Sequence, residues 1–258
     1  MTALRPGSEA VAADPAFILA FPSGSRPDRD TVEALFASDG LDGFSAVLSH
    51  LPAPEQGWVE ILASGLTFDL CGLQPASAIL CPDAPHHYGF ASVEPMVPAG
   101  EAEAIRLEPA GHIVAGAALS PVIRTMAGLA ANLASHLPVS AVLWPPARSV
   151  MAPDYFVRLV LNWLAGGTFP ALGLTSLACG SDGSVASVGL GFFTGIEMQL
   201  EAGQRGDRAA DFKLAVRVID YLVEKGVPSG EEVVTLGGEA LLFEPSRQGK
   251  RVWVWRAD

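Results

Sequence analysis

The densest run of side chains able to do chemistry is Cys81-Pro82-Asp83-Ala84-Pro85-His86-His87-Tyr88. It sets a thiol, a carboxylate and two imidazoles close together. Zinc accepts all three ligand types. Adjacent histidines on an extended segment point to opposite sides, however, and no second ligand cluster follows in the sequence. The expectation is therefore no metal. A nucleophilic reading remains, with Cys81 as attacking group and His86, His87 or Asp83 as its acid–base partner. The plain reading is a proline-punctuated surface loop, because no signature of a known nucleophile surrounds Cys81.

A second set is dispersed. Trp144 ends an apolar run and leads into Pro145-Pro146-Ala147-Arg148-Ser149. Arg124 lies near the start of an apolar helical stripe, His112 at the start of an expected strand, and Glu197 after a glycine-rich segment. Charges beside apolar runs are costly unless paired. The structural reading is an internal Arg–Glu pair that fixes the fold. The functional reading is a pocket in which Arg148 clamps an anionic ligand and Trp144 stacks on it.

No GxSxG, HExxH or phosphate-loop sequence occurs. Gly189 to Gly195 (GLGFFTG) is glycine-rich. It is expected to be strand with no helix after it, so it lacks the context of a phosphate loop. No cofactor is expected.

The elements that must position these residues follow from pattern. Phe17–Phe21, Phe44–Leu48 and Ala141–Trp144 read as strands, and Trp58–Leu70 as either two strands or a strand and a bend around Gly65. Residues 75–100 read as a long irregular loop. Asp28 or Asp30 can cap a helix carrying Val32, Leu35 and Phe36. Ser120-Pro121 opens a helix whose stripe is Ile123, Met126, Ala130, Leu133 and Leu137. Pro153 opens another, and Asp207 to Lys225 forms the last. His112–Ala117, Ala171–Ala178 and Val185–Phe193 are expected strands, the last two joined by the turn at Gly180–Gly183. Strands at 197–201, 232–236, 240–243 and 251–255 follow. In the last, Trp253 and Trp255 share one face, to pack on a helix or to form a partner surface. Interspersed helices and hairpins give α+β, with helices on one face of mostly antiparallel sheet. The expected unit is 13–258, single and compact, with 13–100 and 101–258 as halves sharing a sheet system. Residues 1–12 are expected to be mobile and Met1 to Asp14 not to be a signal peptide.

Composition narrows the classes. The chain has 258 residues, half of them hydrophobic, and a net charge of -12. Such a balance repels phosphate backbones and anionic membrane surfaces, so neither nucleic acid nor membrane is an expected partner. Charged residues are 17%, against about 25% in typical globular domains. That scarcity suits a homo-oligomer or protein-partner interface. Two uncharged runs, residues 125–147 and 159–181, are broken by Pro and Gly and are not expected to span a membrane. Three scattered cysteines are no disulfide framework and point to a reducing, cytoplasmic setting.

From His112 to about Glu201 the chain resembles a bacterial family catalogued as domain of unknown function 4261. Pro121–Arg124, AVLWPPARS (Ala141–Ser149), GGTFPALGL (Gly166–Leu174) and GLGFFTGIEMQLE (Gly189–Glu201) carry the resemblance. It implies a bacterial cytosolic protein, draws attention to Trp144 and Glu197, and transfers no activity. The leading expectation is a non-enzymatic protein that binds a partner or a small ligand. The alternative is a small-molecule enzyme, hydrolase-like, using the Cys81–Tyr88 loop, so enzyme status stays open.

Overall fold

The structure, a computed structural model, describes residues 15–37, 44–91, 103–203, 207–247 and 249–257. The expectations for residues 1–12 and for the end of the 75–100 loop lie outside the described residues.

Strand β1 (Phe17–Phe21) is buried along its whole length, as an apolar run between two prolines should be. Helix α1 (Arg29–Ala37) starts where Asp28 accepts from the backbone and hydroxyl of Thr31, at 2.9 and 2.6 Å. Strand β2 (Ala46–His50) precedes a hairpin of β3 (Trp58–Ala63) and β4 (Leu66–Cys71). In β3, alternate residues Val59, Ile61 and Ala63 are buried, the period-2 pattern of a sheet with one apolar face. The long loop yields one short strand, β5 (His86–Tyr88), and then comes β6 (Glu103–Pro109).

The strand expected at His112–Ala117 is instead a turn and a 3-10 helix at Val114–Gly116. The run is too short and too glycine-broken to pair, and β6 before it takes the place in the sheet. Helix α2 (Ser120–His136) follows. Ser120 is its first residue rather than its cap, and Pro121 sits in the first turn, where its missing N–H is no loss. The helix is buried almost all round from Val122 to Ala134, more than one stripe requires. Strands β7 (Ala141–Trp144) and β8 (Ser149–Met151) form an antiparallel pair around a 3-10 turn, and α3 (Pro153–Leu164) returns beside α2.

These eight strands form one sheet in the order β2-β3-β4-β6-β1-β7-β8-β5. It draws strands from both sides of residue 100. All pairs are antiparallel except β5 with β8.

The second sheet begins after a helical turn, α4 (Ala171–Leu174). Strand occupies only Ser176–Cys179 (β9) of the expected 171–178 stretch. Strand β10 is Val185–Val188; Gly189, at φ 86°, then turns the chain into α5 (Leu190–Thr194). The long strand expected at 185–193 is thus a strand and a helical turn. Strand β11 (Glu197–Leu200), helix α6 (Arg208–Lys225), and strands β12 (Glu232–Leu236), β13 (Glu239–Pro245) and β14 (Arg251–Arg256) complete the chain. The order is β12-β13-β14-β11-β10-β9, antiparallel except β11 with β14.

The fold is α+β. Helices α1 and α2 cover one face of the first sheet, and α6 one face of the second. A single buried apolar cluster runs through both sheets and these helices. The opposite face of the first sheet buries a smaller cluster, including Ile18, Ala20 and Leu143, under Cys81 and Ala84 of the long loop. On the second sheet Val252 and Val254 face α6, so Trp253 and Trp255 lie on the opposite face, away from it. No described helix is long and apolar enough to cross a membrane.

Candidate functional site

Arg124 projects from the first turns of α2 toward the end of α3. Its Nη2 donates to the carbonyls of Trp163 and Leu164, both at 3.1 Å. Those carbonyls belong to the last turn of α3, where the helix has no further N–H four residues on; the Trp163 carbonyl also accepts from the Gly166 N–H at 3.1 Å, and a cation there meets the negative end of the helix dipole. The guanidinium lies 4.7 Å over the Trp163 ring, a favourable cation–π geometry.

Beyond α3, Gly166 at φ 94° turns the chain out of the helix toward Phe169. The Phe169 N–H donates to Asp220 Oδ1 of α6 at 3.0 Å. The Phe169 ring meets Trp163 edge-on at 5.6 Å and Phe193 of α5 at 4.8 Å. Val223 and Glu224, one turn along α6, complete the wall. The result is a cleft of about 760 Å³, within the few hundred to about 1,000 Å³ of small-molecule sites. Exposed Leu119, Ser120, Gly167 and Thr168 stand at its mouth. Arg124 lines the cleft from α2, and Asp220 and Glu224 line it from α6. No described residue forms an ion pair with Arg124 or Asp220, and Glu224 pairs with its neighbour Lys225 at 2.7 Å.

Of the residues singled out from the sequence, Arg124 lines this cleft. The others are elsewhere. Trp144 is fully buried, packed against Phe17 at 4.6 Å and Phe192 at 5.2 Å, so it cannot stack on a ligand. Arg148 does not pair with Glu197. It closes the 3-10 turn after β7 in the left-handed conformation (φ 50°) and reaches Asp83 at 3.2 Å, both side chains more than half exposed. Such a pair contributes little.

Glu197 is occupied internally. Its Oε1 accepts from the N–H groups of Gly189 (2.9 Å) and Gly191 (3.0 Å), and its Oε2 from the Ser187 hydroxyl. The glycine-rich turn does present N–H groups to an anion, and the anion is this carboxylate. His112 stands exposed, hydrogen-bonded to the Thr67 hydroxyl at 3.0 Å.

The Cys81–Tyr88 loop does not assemble a catalytic set. Cys81 is buried on the far side of β1 and β7, and burial pushes its thiol up to about 11. A reactive cysteine needs the opposite shift. His86 and His87 lie on β5, side by side along β8, with alternating exposure. Burial, then Arg148 and His87, lower the His86 pKa and favour the neutral ring. No group of three potential metal ligands occurs among the described residues.

Sequence reasoning did not single out Asp220, Glu224 or Phe169. One signal was present. Asp220 sits four residues after Val216 and three before Val223, so a carboxylate interrupts the flank of an apolar stripe.

No family model, curated protein or solved structure matches the chain. The resemblance to the bacterial family rests on its quoted residues alone.

Proposed function

We propose that this protein binds a small organic ligand in the cleft between α2, α3 and α6, without chemical transformation of it. One observation carries the reading. A guanidinium held over an aromatic ring and two carboxylates line one cleft of ligand size, and among the described residues no ion pair joins Arg124 to either carboxylate. Polar groups gathered beside aromatic and aliphatic side chains in one concavity are the usual marks of a ligand site. The hydrolase-like alternative has no comparable support, since its thiol is buried and pushed up to about 11 and its imidazoles stand on β5, the end strand of the first sheet. A partner protein would use another surface, the outer face of the second sheet, where Val233 and Trp255 are exposed. A bacterial, cytoplasmic setting belongs to the same proposal, and the three free cysteines suit a reducing compartment.

The test is a fragment screen followed by the indole N–H resonance of Trp163. Fragments should shift that resonance, and Thr168→Trp, which fills the mouth from an exposed position, should abolish the shifts while leaving the melting temperature unchanged. Shifts that map elsewhere, or that survive Thr168→Trp, would overturn the assignment.

A further inference from the structure

Resting on that reading, we infer that the ligand is a zwitterion, an amino-carboxylate with an apolar body. The charges of the cleft set this class. An arginine has five N–H donors, and the two bonds to Trp163 and Leu164 both come from Nη2. The Nε and Nη1 hydrogens stay available, on a cation without an ionic partner among the described residues. Asp220 spends Oδ1 on the Phe169 N–H; Oδ2 stays available. Glu224 is exposed and already paired with Lys225, so Asp220 is the carboxylate left without an ionic partner among the described residues.

Each single-charge ligand fails against one set of groups. A simple anion satisfies Arg124 but meets two carboxylates, and the protein's net charge of -12 repels it from a distance. A simple cation satisfies Asp220 and Glu224 but meets Arg124. A neutral apolar molecule leaves both sets to lose water without compensation. A ligand with a carboxylate toward Arg124 and an ammonium toward Asp220 meets both sets with charge-assisted hydrogen bonds and carries no net charge into the field. Ile123, Phe169, Phe193 and Val223, which line the same cleft, offer the apolar contact for its body.

A matched set of probes tests the class: L-phenylalanine, 3-phenylpropanoate, which lacks the amine, and phenethylamine, which lacks the carboxylate. Titrated at pH 7 against the Trp163 indole resonance, L-phenylalanine should bind about tenfold or more tightly than either analogue. Asp220→Asn keeps an acceptor for the Phe169 N–H. It should weaken L-phenylalanine by about tenfold and leave 3-phenylpropanoate unchanged or slightly tighter. Arg124→Gln should spare phenethylamine and weaken L-phenylalanine. If an analogue binds as tightly as L-phenylalanine, or if only fragments outside this set shift Trp163, the zwitterion class is overturned and the cleft reading stands. If no probe or fragment shifts Trp163, the cleft reading itself falls, and the ligand class with it.

Discussion

Removing the Glu197 carboxylate leaves the Gly189 and Gly191 N–H groups without their acceptor and the Ser187 hydroxyl with only its longer bond to the Met198 carbonyl, at 3.4 Å. Ser187 and Gly189 are buried, so water does not readily replace it. Leaving such donors unpaired costs about 2 kcal/mol, and Glu197→Ala should lower the urea midpoint accordingly without changing the slope. An unchanged midpoint would mean that the turn holds without the carboxylate. The cysteines give a second test at this scale. Burial, with the nearby Glu108 and Asp69 carboxylates, pushes Cys71 up to about 11, and burial alone does the same to Cys81. At pH 8 such thiols are only about a thousandth ionised. Exposed Cys179 should therefore take iodoacetamide first in the native protein, and Cys71 and Cys81 only after unfolding. Mass spectrometry of a time course reads the order, and early labelling of Cys81 would return it to candidacy as a nucleophile.

Elements show why some of the molecule is legible in sequence and some is not. Periodicity marks β1, β3, α2 and α6, because burial of one face or of the whole element is written in residue type. Asp28 marks the start of α1 by a local hydrogen bond. Its pKa is lowered, chiefly by the bonds from Thr31, so the stabilisation is complete above the ordinary value of 3.8 and fades as pH falls through the lower folded value. Asp28→Ala should cost about 1 kcal/mol at pH 7, and that difference should shrink below pH 3.8, as paired denaturation curves would show. The end of β10 was not legible. Val185 to Phe193 reads as continuous strand until one knows that the backbone of Ala147 lies against Gly189. A Cβ on Gly189 would stand 2.7 Å from the Ala147 Cα and the Pro146 carbonyl, at a φ of 86° that side chains avoid. Gly189→Ala should destabilise by about 2 kcal/mol or more; a neutral effect would show that the turn can relax. The cleft was illegible for a related reason. Arg124, Trp163 and Asp220 come from three helices, and only packing reveals that Arg124 caps the end of α3 rather than seeking an anion along the chain.

At the scale of the whole molecule, the two sheets are joined by aromatic packing rather than by a polar seam. Phe192 of α5 meets Trp144 of β7 edge-on, and Phe193 meets Phe169, which in turn meets Trp163 of α3. Gly189 presses on the turn after β7, and the buried apolar cluster is continuous across the join. Domains within a chain usually meet through smaller, more polar contacts and then move or unfold apart. Chains longer than about 150 residues often populate intermediates on unfolding, and a polar seam here would make that outcome expected. A continuous core predicts the reverse. Opening the second sheet would expose Trp144, Phe169 and Phe193 together, and burial of each large side chain contributes about 2 kcal/mol. Urea unfolding should therefore give one transition, with tryptophan fluorescence and far-ultraviolet circular dichroism coincident. Trp144 and Trp163 report the first sheet and its helices, whereas Trp253 and Trp255 report the far face of the second. Separate midpoints for the two pairs, read in single-tryptophan variants, would show that the sheets unfold as independent units and that the cleft between α2, α3 and α6 is lost with whichever melts first.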